Sequence, residues 1–440
     1  MKSRRAGNRR TFRTGKNIFR TFLAGLPSPT LPPDMRILSE GGKSLPAALI
    51  TLAVGSLLLT PFLAFVSSRS LGSRSAESTI AAQYAADAGI EFGIWSLLND
   101  AAFRSQVDNN LGIAQPLSFP GILNGFTPAI SVTGLPIGSW TVRDSAPANV
   151  NKGGALAYAG GDRIYALRGD KSKDFGYYSI SGDSWSSLAD TPEKVDQGGA
   201  LVYGGGNTLY AFRGDKSDAF WQYNIAANSW STLQKTPKKV EKGGELVWTG
   251  GDYIFAFRGG NKKDNFWRYS ISSNSWTNMT DTPARVGNGS DLVYTGGNSI
   301  YAFRGNNRTN FWRYDISSDN WSSLANAPAN VSDGGGLAYH SGSYIYALSG
   351  KGDGFWRYTI GTNTWSVLSN TPAAVGQGGD LLFTQATVGF AQRGGKKPDF
   401  WEFEVTPPRF DIHADAGSVA TDVRIEIDGL NTSVLFWDIE

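Results

Sequence analysis

The chain has 440 residues, 40% hydrophobic and 18% charged, enough for more than one domain with a buried core. It has no cysteine, which excludes disulfides, thiolate metal sites and thiol catalysis, and only two histidines, His340 and His413, which leaves little for acid-base chemistry or imidazole ligation. The formal charge of +3 hides an asymmetry: residues 1–43 hold ten Lys or Arg against Asp34 and Glu40, so the remainder is slightly acidic and no nucleic-acid partner is expected.

In chain order, the first 42 residues form a basic leader, and translation is expected to start at Met35, where an Arg- and Pro-rich stretch without periodicity ends. Residues 45–66 then run 22 positions without a charge, long enough as a helix to cross a hydrocarbon core of about 30 Å. The basic flank on the amino side predicts that residues after 66 lie outside the cytoplasm. Beyond the span, Ile80, Tyr84, Ala88, Trp95 and Leu98 recur at helical steps and predict that the helix continues to about residue 100 with this face inward.

Three features here resemble one family: Gly41-Gly42 ending a polar leader, Pro61 within the apolar run, and the alanine-rich segment Ala81-Ala82-Gln83-Tyr84-Ala85-Ala86-Asp87-Ala88-Gly89-Ile90-Glu91. Together they resemble the prepilin leader and stalk of type IV minor pilins, of the pilus-assembly family. The resemblance implies cleavage between Gly42 and Lys43, a membrane and stalk helix over 43–100, and other pilins or pilus machinery as partners. Ala47 stands where major pilins carry glutamate, and Lys43 where they begin with phenylalanine, which points away from a main-fibre role.

After a linker and a first strand over 101–135, a repeat begins. Trp140, Trp185, Trp230, Trp276, Trp321 and Trp365 are spaced by 45, 45, 46, 45 and 44 residues, and glycine pairs near 153, 198, 243, 289, 334 and 378 keep the same step. This period is that of propeller blades. In the unit 198–240, the segments ALVY, TLYAF, FWQYNI and SWSTL read as four short strands separated by GGGN, GDKSD and AAN turns. A blade of four antiparallel strands exposes both faces until neighbours stack on it, and six blades close a ring. The sixth unit has only three strands before Pro407-Pro408, and the missing one stands ahead of the first glycine pair at 138–142, so this strand is predicted to close the ring.

The strand IYAFRG, the aromatic strand FWRY and the spaced tryptophan resemble the Kelch repeat across all six units, although Arg-Gly, with Ser349 in place of the arginine in the fifth unit, replaces that family's double glycine. The expected fold is therefore mainly β: a six-bladed Kelch-type propeller over 136–406. Alternating strands over 407–440 predict that it is inserted in a small pilin-like β-sheet, between the first strand and the rest, behind a long N-terminal transmembrane helix.

Loops joining strands two and three and loops joining blades fall on one face, and such loops are where function usually sits. They hold Arg168, Arg213, Arg258, Arg304 and Arg393 with Lys171 and Lys216, a ring of cations suited to an anionic polymer. Against this, a residue repeated in every blade has a structural job to do, pairing with a carbonyl or with acids such as Asp174 and Asp399. The aspartates of these loops fit no calcium-loop spacing, so no metal is expected. The two histidines read as surface or turn residues. No catalytic constellation stands out and no cofactor is implied, so the expected function is an exported, membrane-anchored or pilus-associated surface protein whose propeller binds an extracellular polysaccharide or protein. The alternatives are a tethered glycan-acting enzyme and a pilus tip subunit without a ligand.

Overall fold

The computed structural model describes residues 72–260, 264–384, 387–428 and 431–439. The described residues divide into two compact units, 72–135 with 407–439 in one and those within 136–406 in the other. The expected cleavage site at Gly42 and Lys43 and the apolar span 45–66 lie outside the described residues. Among those described, no helix is long and apolar enough to cross a membrane.

The first unit packs helix α1 (Gly72–Asn99) and helix α2 (Ala101–Asp108) on a five-stranded antiparallel sheet. Asp100 caps α2 by accepting from the amides of Ala102 and Phe103 at 3.0 Å each. The sheet order is Gln115–Ser118, Ala129–Gly134, Arg409–Ala416, Val419–Asp428 and Asn431–Ile439. A short strand thus precedes the expected first one, and the propeller enters the chain after the second strand. Only four residues long and carrying Pro116, that strand lacks a readable alternation, and proline is tolerated because it lies at the sheet edge.

The buried stripe of α1 also differs from the expected face. Ala82, Ala85, Ala86, Gly89, Ile90, Gly93, Ser96 and Leu97 are buried, whereas Ile80 is 43% exposed and Tyr84, Ala88, Trp95 and Leu98 flank the contact. Close approach explains the choice. A Cβ at Gly93 would lie 2.8 Å from Ile412 Cγ2, so helix and sheet meet where the side chains are smallest. The other side of the sheet is a charged ladder of cross-strand pairs: Arg409 with Glu426 at 3.0 Å, Arg424 with Asp411 at 2.6 Å, and His413 with Asp422 at 2.9 Å.

The second unit is six four-stranded antiparallel sheets. Blade 2 shows the pattern, with strands Ala200–Tyr203, Thr208–Phe212, Phe220–Asn224 and Ser229–Thr232. The first strands of successive blades are neighbours in a closed cycle, blade 6 meeting blade 1, so they line the axis. Ser139–Arg143 pairs with Phe400–Glu404 as the outer strand of blade 6, as the sequence predicts.

Repeated side chains lock each blade to the one before it. The outer-strand tryptophans donate Nε1 to a carbonyl of the preceding blade, Trp230 to Ala189, Trp276 to Gln234 and Trp321 to Thr280, all at 3.0 Å. At the turn between the third and fourth strands, Asp183, Asn228, Asn274, Asp319 and Asn363 take positive φ, which short polar residues tolerate. Asn274 Oδ1 accepts both from Tyr269 Oη at 2.8 Å and from the Gln234 amide at 2.8 Å, and the other four repeat this staple. Blade 6 has no such turn, because its third and fourth strands come from opposite ends of the propeller chain. Phe403 stands where the other blades carry the tyrosine, so no hydroxyl is left without its acceptor.

Candidate functional site

On one face of the ring, the loops between strands two and three bridge to the connections between blades. Lys171 donates its amide to Val195 O at 2.9 Å, and Asp170 to Lys152 O at 2.8 Å. Equivalent amides in every other blade, those of Asp215, Gly260, Asn306, Lys351 and Gly395, donate to the matching carbonyl at 2.7 to 2.9 Å. To reach these partners the loop passes through consecutive left-handed residues, such as Gly169, Asp170 and Lys171 at φ of 68°, 56° and 59°. Glycine, asparagine and aspartate dominate such conformations, so a lysine at the third position is held there by the surrounding bonds.

The five arginines do not form the free cationic ring that their positions suggested. Arg168, Arg258, Arg304 and Arg393 each donate Nε to the carbonyl nineteen residues earlier, at 3.0 to 3.2 Å. Their Nη1 groups reach Asp174, Asn265, Asn310 and Asp399 at 2.7 to 3.2 Å. Arg213 lies 3.2 Å from Glu193 Oε2. Each guanidinium therefore ties the second-to-third-strand loop to the incoming connection. This is the structural role that repetition implies, and the bonds come from backbone carbonyls that no sequence pattern marks.

Among the described residues, these loops expose lysines and, in blade 4, Arg308. Lys171, Lys216, Lys351 and Lys396 are exposed at the loop tips of blades 1, 2, 5 and 6, four consecutive blades of the ring. A mouth cavity of about 580 Å³ opens within this arc, lined by Asn151, Lys152, Asp170, Lys171, Asp196, Gln377, Gly395 and Lys396. Asp170 is turned aside by Asn151 Nδ2, which donates to it at 2.9 Å. Across the mouth, Gln197 of blade 2 reaches Asn288 of blade 4 at 3.3 Å.

Deeper on the axis lies a group that the sequence reading missed. The first position of the inner strands is occupied by Glu245, Asp291 and Asp380 in blades 3, 4 and 6, against Ala155, Ala200 and Gly336 in the others. Asp380 accepts from the amides of Leu381 in its own blade and Leu156 in the next, both at 2.7 Å, and Asp291 does the same for Leu292 and Leu337. They satisfy backbone donors on inner edges that face the axis. Burial pushes the Asp380 carboxyl up to about 6. Burial and then the charges of its neighbours hold Glu245 well above the ordinary carboxylate range, and burial with the charge of Asp380 does so for Asp291. Among the described residues, no three His, Cys, Asp or Glu side chains are placed to hold a metal ion.

Both histidines lie in strands rather than turns, and His413 is partly exposed at the surface. His340 lies within the strand Gly335–Ser341 with its ring edge-on to Tyr346 and Phe383. His413 sits between Asp422 at 2.9 Å and Asp415 at 3.0 Å. Burial opposes its protonation, but the hydrogen bonds and charges of the two aspartates prevail and raise it above an ordinary histidine.

The strand register and the closed cycle of inner strands define a six-bladed β-propeller with four antiparallel strands per blade, an architecture consistent with a Kelch-like propeller. No family model and no curated protein matches the chain. Among solved structures it is similar to one titled "Structure of YjhT", at 15% identity and a TM-score of 0.47, over 66% of this chain and 99% of that one.

Proposed function

We propose that this chain is an exported, membrane-anchored or pilus-associated surface protein whose propeller binds an acidic extracellular polymer, without catalysing a reaction. The observation that carries this reading is the arc of exposed lysines at Lys171, Lys216, Lys351 and Lys396, held on left-handed tips around an open mouth. Fixed tips lose little conformational freedom on binding, and several cations spaced around one cavity suit a chain of carboxylates better than a single small anion. The small-residue stripe of α1 packed on an antiparallel sheet supports the minor-pilin resemblance of the preceding segment.

Polygalacturonate binding at low salt tests the binding face. Lys171→Glu, Lys216→Glu and Lys396→Glu together are expected to weaken it roughly ten-fold or more, at about 0.5 kcal/mol per lost contact, with the melting temperature unchanged. Undiminished binding by the triple variant contradicts this role for the loop face. Amino-terminal sequencing of the protein from membranes tests the pilin part, and an amino terminus at Lys43 is the expected result.

A further inference from the structure

Two breaks in the repeat fall at one interface. On the third strand, Trp221, Trp267, Trp312, Trp356 and Trp401 stand where blade 1 has Gly176. At the end of the second strand, Phe212, Phe257 and Phe303, or Leu167 and Leu348, stand where blade 6 has Gln392. At the blade 2–3 interface the corresponding residues, Phe212 and Trp267, pack in one cluster. Between blades 6 and 1 an aromatic cluster remains around Tyr178, Phe390 and Phe400, but in place of that pair is a cavity of about 110 Å³, lined by Val150, Leu167, Phe175, Trp185 and Gln392 and opening beside Pro147, Ser186 and Ser187.

We propose that this cavity binds a single aromatic ring bearing an O–H or N–H donor, of the phenol type. Its walls are mainly apolar and aromatic, with the Arg168–Asp174 ion pair also lining it, and since an enclosed apolar cavity of about 150 Å³ holds benzene, a smaller one that opens to solvent admits one ring. Gln392 supplies the polar contact. It is 2% exposed, its Nε2 donates to Gly378 O at 2.8 Å, and its Oε1 has no partner. A buried acceptor left unsatisfied is costly, and a donor carried in by a ring completes it. The space is also not one that a side chain of blade 1 could fill. A Cβ at Gly176 would lie 2.5 Å from Ser186 O, so the outer strand has closed down onto the glycine.

The proposal is independent of the lysine arc. Its test is ¹⁹F NMR on the intact chain with 4-fluorophenol and with 4-fluorotoluene, which has the same shape but no donor. The phenol is expected to bind about ten-fold more tightly, the size of one satisfied hydrogen bond. Gln392→Leu, the residue of blades 1 and 5, is expected to erase the preference, and Gln392→Phe to fill the cavity and abolish binding of both. Equal binding of the two probes, a preference that survives Gln392→Leu, or no binding of either at millimolar concentration overturns the proposal. N-acetyltyrosinamide and phenol separate the sources: binding of both supports a ring carried on a peptide, and binding of phenol alone supports a free aromatic molecule.

Discussion

Asp380 shows how one side chain can serve the fold and weaken it in the same pH range. Its two oxygens satisfy amides of two blades, yet burial raises its carboxyl from 3.8 to about 6. The folded state therefore holds this proton where the unfolded chain has released it, and stability falls as pH rises from about 4 through 6. A shift of that size corresponds to about 3 kcal/mol. Asp380→Asn loses one accepting oxygen but cannot ionise, so it is expected to be more destabilising at pH 4 than at pH 7, by up to about 3 kcal/mol in urea titrations. A penalty equal at both pH values contradicts the raised carboxyl. His413 acts in the same direction over a higher pH range: with its proton held above the ordinary range, its contribution is present at low pH and lost as pH rises past about 6.5. None of this was legible in the sequence, where Glu245, Asp291 and Asp380 look like ordinary strand beginnings, because their meeting depends on ring closure.

At the scale of elements, the strand boundaries were legible because every blade repeats one alternation, and Trp140 was legible as the missing member of a six-fold series. The helix was legible as a helix but not in its contact face. Periodicity favours large apolar residues, whereas the close approach of α1 to the sheet selects Ala85, Ala86, Gly89 and Gly93. The closing strand is the weak element of the ring. Trp140 reaches Ser369 O at 3.4 Å, longer than the 2.8 to 3.0 Å of its five counterparts, and its blade has no turn staple. Its ring packs 4.9 Å from both Phe355 and Phe403, so Trp140→Ala removes packing that joins the two ends of the propeller. That substitution is expected to cost roughly 3–5 kcal/mol and more than Trp230→Ala, because blade 2 stays covalently continuous when its tryptophan is lost. Equal losses of denaturation midpoint contradict this ranking.

For the whole molecule, ring closure converts a 45-residue repeat into a surface with two distinct faces, and the faces carry different chemistry. One presents the lysine tips and the mouth. The opposite one presents the short turns Gly160–Asp162 and Gly205–Asn207. The basic character of the loop face was legible in the sequence, but which of its cations stay available was not, since Arg168, Arg258, Arg304 and Arg393 turn their donors to carbonyls nineteen residues away. Hydrogen exchange of the intact chain with and without polygalacturonate tests the proposed binding face most directly. Slower exchange in peptides covering 169–172, 214–217 and 395–397 is the predicted result. Slowing confined to the turns at 160–162 and 205–207, or no slowing in any blade, contradicts it.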